Sequence, residues 1–203
     1  MSTASETRAL ARSLLDLCKA RKLTIATAES CTGGLVSAAL TDIPGSSAVV
    51  VCGYVTYADD AKREMLGVKD ETLGNFGAVS KETAVAMANG ALKRAKTALA
   101  VATTGIAGPG GATPGKPVGL VHFAAASRDG RLLHLEKRFG ALGRTTIRQR
   151  SVNEALKMLI ELARGPKSVK KSKLVPAAAG RLRSRAVRKL RKSASARRRT
   201  LRS

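Results

Sequence analysis

A turn of small residues, Ala28–Gly34, joins a buried strand to a helix and constrains the fold more than any other segment. The apolar and β-branched residues 23–27 predict the strand, and the helix is expected over about residues 34–40. Hydroxyl residues and glycines at such a junction leave several backbone N–H groups without intrahelical partners. These groups can form an anion or oxyanion pocket, although serine and threonine also cap helices for structural reasons alone. The segment by itself is compatible with both interpretations.

Strand and helix patterns alternate along the first 164 residues. The first helix has an apolar face that includes Leu14 and Cys18, and a later helix beginning near Ser80 has alanines at helical spacing. A short helix is expected around Lys62 and a final one over residues 144–163. Strands are predicted over residues 23–27, 48–57, 98–103, 118–126 and 132–139, the last two joined by a hairpin turn. We therefore expect an α/β fold, a three-layer α/β/α sandwich with a mixed β-sheet, over residues 1–164.

The basic charge is concentrated at the end of the chain. The whole sequence carries +23, and residues 165–203 hold 6 Lys, 9 Arg and no acidic residue, so 15 of these charges belong to the tail and +8 remains for residues 1–164. A segment with so few large apolar side chains and so much self-repulsion is expected to be disordered. It could bind nucleic acid non-specifically through phosphates, without base stacking because it has no aromatic residue. A solvated tail without a partner fits equally well.

Several classes of protein are excluded by composition. No apolar run approaches the roughly 18 residues that a membrane span needs. The polar N-terminus, with Glu6, does not resemble a secretion signal, so a cytoplasmic location is expected. Three cysteines without Cys-x-x-Cys spacing predict neither a disulfide framework nor a zinc site, and no other metal-ligand cluster is present in the sequence.

Two nucleotide-binding motifs also fail. The glycine-rich loop 110–117 resembles a P-loop, but Pro117 occupies the position of the Mg²⁺-binding hydroxyl and a strand follows instead of a helix. Thr113 stands where a dinucleotide fingerprint needs its third glycine. His122 and His134 lie in predicted strands without an acidic neighbour in sequence, which favours packed or surface histidines over general bases.

A serine and a lysine offer a different route to hydrolysis, since a neutral lysine amine can activate a serine hydroxyl. Lys62 falls in the first turn of its helix, where the positive helix end disfavours a cation, whereas Asp59 favours one. Ser47 follows a flexible turn at Gly45, and Tyr57 provides a second proton carrier. A surface lysine and a turn serine explain the same spacing without any function.

Seven motifs in fixed order carry a family resemblance over about residues 5–164. They are residues 28–34 (AESCTGG), 45–47 (GSS), 53–57 (GYVTY) with Lys62, 77–80 (GAVS), 105–109 (GIAGP), 116–119 (KPVG) and 143–144 (GR). Together they resemble the CinA C-terminal domain family, the nicotinamide-nucleotide amidohydrolases or NMN deamidases. The resemblance implies hydrolysis of the carboxamide of nicotinamide mononucleotide to nicotinate mononucleotide and ammonia, in pyridine nucleotide recycling. It also implies a homo-oligomer and no cofactor.

The resemblance further implies a role for each matched residue. Ser47 is then the nucleophile, Lys62 its base and Tyr57 an aid to proton transfer. Arg144, at the start of the last helix, is expected to hold the substrate phosphate. The remaining substrate-binding positions implied are Ser30, Thr32, Gly33, Gly45, Thr104 and Gly105.

Two alternatives stay open at this point. The first is an amidase that uses Cys31, because a thiol at a helix N-terminus is a candidate for a lowered pKa. The second is a non-catalytic nucleotide-binding module whose basic tail tethers it to nucleic acid.

Overall fold

The computed structural model describes residues 3–165, which form eleven regular elements and one short 3-10 turn at Ser46–Ala48. The helices are α1 Thr3–Ala20, α2 Leu35–Thr41, α3 Asp59–Leu66, α4 Asp70–Phe76, α5 Lys81–Ala95 and α6 Arg144–Arg164. The strands are β1 Ile25–Glu29, β2 Val50–Val55, β3 Leu99–Gly105, β4 Leu120–Ser127 and β5 Leu132–Arg138. None of the helices within this part of the chain has the length and apolar character to cross a membrane.

The five strands form one mixed sheet in the order β2-β1-β3-β4-β5. Strands β1, β2 and β3 are parallel, while β4 and β5 join antiparallel to β3 and to each other. Helices α1, α2 and α6 pack their apolar side chains on one face of the sheet. Residues from α3, α4 and α5 cover the other face. The predicted three-layer α/β fold with a mixed sheet is confirmed.

Small side chains decide how closely α5 approaches its neighbours. Ala84, Ala88 and Ala91 are fully buried, as their helical spacing predicts. Gly90 lies against α3, where a Cβ atom would stand 2.1 Å from the carbonyl oxygen of Leu66. This close contact fixes α3, and with it Lys62, relative to the sheet.

Several local predictions were inaccurate, including that of β2, which covers Val50–Val55 instead of residues 48–57. Strand β1 begins at Ile25 and ends at Glu29, two residues later than predicted, so a charged side chain lies inside the strand. Helix α4 was not predicted, because Leu73 is its only buried residue and leaves little periodic signal. The basic tail, predicted to be disordered over residues 165–203, lies outside the described residues apart from Gly165.

Candidate functional site

The candidate site lies at the carboxyl edge of the three parallel strands, the usual place for ligands in open α/β sheets. Ser30 directly follows β1, Tyr57 lies two residues after β2, and Thr104 and Gly105 end β3. The backbone N–H of Thr56 donates to Glu29 O and that of Ser30 to Thr103 O, so the three strand ends are held side by side. Four of the predicted site residues therefore meet at one edge of the sheet.

Lys62 is the largest fully buried side chain at this edge, with 1% exposure in the first turn of α3. Its Nζ donates to Tyr57 O at 3.1 Å and to Ala58 O at 3.4 Å, and it pairs with Asp59 Oδ1 at 3.1 Å. An ammonium group has three protons to donate, so these oxygens hold Nζ in one position. A lysine so deeply buried is unusual in a surface helix, which favours a functional role over a solvated one.

Arg144 is the first residue of α6, as predicted, and reaches across the same edge. Its guanidinium donates to Gly108 O at 3.1 Å and to the Tyr57 hydroxyl at 3.2 Å. The α6 N-terminus has no side-chain cap and no acidic residue in its first turn. Its free N–H groups and the guanidinium together favour an anion at this position.

The predicted anion pocket at the start of α2 is already filled by the protein. Glu29 is fully buried, and its carboxylate accepts from the backbone N–H groups of Gly34 and Val36 at 3.0 Å and of Ser37 at 2.8 Å. The Ser37 hydroxyl adds a fourth bond at 2.9 Å. Because these donors are satisfied internally, the turn 28–34 is not an open anion site at this helix start.

Two predicted substrate-binding threonines are buried within the scaffold. The Thr32 hydroxyl bonds that of Thr103 at 2.7 Å, and the Thr104 hydroxyl donates to Ala78 O at 2.7 Å. Gly105 lacks room for a side chain, since a Cβ would stand 2.6 Å from Leu120 O. Gly33 is exposed, and a Cβ there would come within 3.2 Å of an Arg148 nitrogen. Substrate binding by these four positions stays a prediction.

Ser47 and Gly45 lie at the opposite edge of the sheet. Ser47 is an exposed residue of the turn that precedes β2, whereas Lys62 follows the carboxyl end of the same strand. The six residues of β2 span about 20 Å. The Ser47–Lys62 pair is therefore not assembled within one chain, because an extended strand separates the turn from the helix.

Cys31 does not have the environment of a nucleophile. It is 5% exposed, and burial raises the pKa of its thiol to about 12, with nearby Glu29 acting in the same direction. The thiolate is the reactive form, so the alternative that rests on a lowered pKa at the helix N-terminus is wrong.

Two residues of the site were missed by sequence reasoning. Arg148 lies one turn after Arg144 on α6 and donates to Thr32 O at 2.7 Å, while its Nε is buried without a partner. Thr56, which follows β2, has a buried hydroxyl that also lacks a partner. The four-residue spacing of the two arginines was the available signal, since it puts them on one helix face. No group of three or more metal-ligating side chains occurs between residues 3 and 165.

Comparison with known proteins identifies the family. The model of the CinA C-terminal domain matches residues 7–163. A CinA-like protein of Chloroherpeton thalassium is 56% identical over 112 residues, which are 55% of this chain and 27% of that protein. A putative competence-damage inducible protein of Acetivibrio thermocellus is 61% identical over 104 residues, 51% of this chain and 25% of that protein. This chain thus matches about a quarter of the length of each of these relatives.

Solved structures agree with this assignment. The crystal structure of the competence/damage inducible protein CihA from Agrobacterium tumefaciens is 57% identical, with a TM-score of 0.77 over 77% of this chain and 95% of that chain. That of the competence damage-inducible protein A from Klebsiella pneumoniae is 35% identical, with a TM-score of 0.75 over 79% of this chain and 99% of that one. The resemblance found in the seven sequence motifs is confirmed, and the chain belongs to the CinA C-terminal domain family.

Proposed function

We propose that this protein hydrolyses the carboxamide of nicotinamide mononucleotide to nicotinate mononucleotide and ammonia, as a Ser-Lys amidohydrolase. The observation that carries the proposal is the buried amine of Lys62 at the sheet edge that also holds Arg144 and the uncapped start of α6. The amine that would transfer the proton and the groups that favour an anion thus lie at the same edge of the sheet. Family membership supports the same reaction.

The chemistry follows from these groups. A serine hydroxyl attacks the carboxamide carbon, and its proton passes to Lys62, which must first lose one proton because an ammonium group has no lone pair to accept it. The C–N bond then breaks, and the lysine ammonium returns the proton to the departing nitrogen, which leaves as ammonia. Water hydrolyses the resulting acyl ester, so the net change is one amide and one water converted to a carboxylate and ammonium.

Substrate orientation would come from the anion-binding side of the site. The Arg144 guanidinium and the free N–H groups of the first α6 turn favour the phosphate of the mononucleotide. Tyr57, hydrogen-bonded to Arg144 at 3.2 Å, links this region to Lys62, whose amine is 3.1 Å from the Tyr57 carbonyl oxygen. Ser30 lies about one strand spacing from the start of this segment, because the N–H of Thr56 donates to the carbonyl oxygen of Glu29, the residue before Ser30.

Ammonia release from nicotinamide mononucleotide by the purified full-length protein tests the proposal. We expect Lys62→Ala to lower turnover by at least about 10²-fold, the usual contribution of a general acid-base group. Lys69→Ala, which removes an exposed lysine seven residues later, and Cys31→Ala should both retain activity.

Two results would contradict this function. Equal ammonia release by the wild type and by Lys62→Ala would remove the lysine from the reaction. Binding of the nucleotide by the wild type without any ammonia release would favour the alternative of a non-catalytic nucleotide-binding module.

A further inference from the structure

The outer edge of β2 has no strand beside it. This strand pairs only with β1, and its six residues, Val50–Val55, contain no charge and no proline. The pairing with β1 shifts by one residue at Val51, near the amino end, and the four residues from Cys52 to Val55 then pair regularly. Soluble proteins normally protect such an edge with charges, bulges or a covering element. Beyond the irregularity at Val51, an uncharged edge with the half-exposed Val55 (46%) is suited to pairing with another strand.

A second copy of the chain is the occupant that completes the candidate site. Two identical edge strands related by a twofold axis pair antiparallel, so the amino end of each lies beside the carboxyl end of the other. This arrangement brings the turn that carries Ser47 in one copy to the edge that carries Lys62 in the other. A single chain cannot do so, because β2 separates the two residues by about 20 Å.

The register of such a pair is tightly bounded. The midpoint of Val50–Val55 falls between Cys52 and Gly53. In an antiparallel pair a twofold axis sets one residue opposite its own copy, so the two central registers have the axis at Cys52 or at Gly53. Counting along the chain, these registers bring Ser47 level with residue 57 or 59 of the second copy, respectively. Tyr57 and Asp59 both supply an oxygen that holds the Lys62 amine, so both registers direct Ser47 to the same amine.

We propose that β2 pairs antiparallel with β2 of a second copy and that Ser47 of each copy is the nucleophile for Lys62 of the other. The inference rests on the proposed amide hydrolysis for the role of Ser47, and on the strand edge for the pairing itself. It also explains why Tyr57 is 60% exposed in one chain, since the second copy would cover it and exclude water from the reaction.

Mixed dimers test the shared site. Ser47→Ala and Lys62→Ala chains carrying different tags are co-expressed, and the mixed dimer is isolated by two affinity steps. Although each variant alone is inactive, the mixed dimer should have about half the wild-type ammonia release, because one of its two sites is intact. A matched pair, Lys62→Ala with a double variant that carries both Ser47→Ala and Lys62→Ala, should recover nothing, since neither of its two sites retains Lys62. A Ser47→Ala/Lys62→Ala dimer as inactive as its parents would overturn the shared site.

Cross-linking tests the β2–β2 interface without measuring activity. It can therefore disprove the strand pairing independently of the proposed reaction. Cys52 lies at the centre of β2 and is partly exposed, whereas Cys18 and Cys31 are buried. A short bis-maleimide should convert the native protein to a covalent dimer, and Cys52→Ser should abolish the product. The double variant Val51→Lys/Val55→Lys should sediment as a folded monomer. A monomeric wild type without a cross-linked product would overturn the pairing, even if ammonia release were observed.

Discussion

At the scale of single residues, Glu29 has the largest structural role near the site. Its carboxylate accepts four hydrogen bonds at 2.8–3.0 Å from the start of α2, in a fully buried position. In Glu29→Gln an NH₂ group replaces one acceptor oxygen and faces backbone donors. We expect the free energy of unfolding to fall by about 1–3 kcal/mol, the usual cost of leaving a buried polar group unpaired.

Urea denaturation followed by circular dichroism measures this effect. Glu161→Gln, an exposed change of the same chemistry on α6, is the matched control and should leave the free energy of unfolding within about 0.5 kcal/mol of wild type. If Glu29→Gln were as stable as this control, the internal carboxylate would not be what organises the turn 28–34.

At the scale of elements, the β4–β5 hairpin carries a histidine pair that makes stability depend on pH. His122 Nδ1 and His134 Nε2 are 3.2 Å apart, and the rings stack. Burial is the largest cause that lowers the pKa of each; Lys116 beside His122 and Lys81 beside His134 act in the same direction, while Glu136 opposes it. The folded state thus binds protons less readily than the unfolded state, whose histidine pKa is about 6.5.

The sign of the effect follows from this difference. The stabilising contribution of the neutral pair is fully present above pH 6.5 and declines as the pH falls through and below that value. We expect the urea midpoint to drop between pH 7.5 and pH 5.5, and His134→Gln to reduce that drop. An unchanged pH dependence in His134→Gln would show that other groups cause it.

Comparison of the predicted and observed elements shows how much of the fold the sequence patterns predict. Periodicity predicted α1, α5 and α6 well, because many core contacts repeat at helical spacing, as Ala84, Ala88 and Ala91 do. Glu29 escaped prediction because a carboxylate in a strand suggests exposure, and only the folded turn supplies its donors. The separation of Ser47 from Lys62 is a consequence of topology, since residues before and after one strand stand at opposite edges of the sheet. The number of residues between Ser47 and Lys62 does not by itself predict how far apart they lie in the fold.

At the scale of the whole molecule, the uneven distribution of positive charge assigns nucleic-acid binding and amide hydrolysis to different parts of the chain. Residues 3–165 contain the sheet and both helical layers, whereas residues 165–203 contribute 15 of the 23 net positive charges. Phosphate neutralisation by lysine and arginine releases counterions, so affinity for nucleic acid falls steeply as salt rises. Amide hydrolysis depends instead on groups at the carboxyl edge of the sheet.

Ending the chain at Gly165 should therefore separate the two activities. We expect the full-length protein to bind duplex DNA of mixed sequence with a strong salt dependence in fluorescence anisotropy, and the shortened protein to lose most of that binding. Ammonia release from nicotinamide mononucleotide should be the same for both. A full-length variant with all 15 lysines and arginines of residues 165–203 replaced by glutamine controls for length and should behave as the shortened protein does. Equal DNA affinity and salt dependence in all three proteins would assign the binding to the folded domain, because only its +8 charge is common to them.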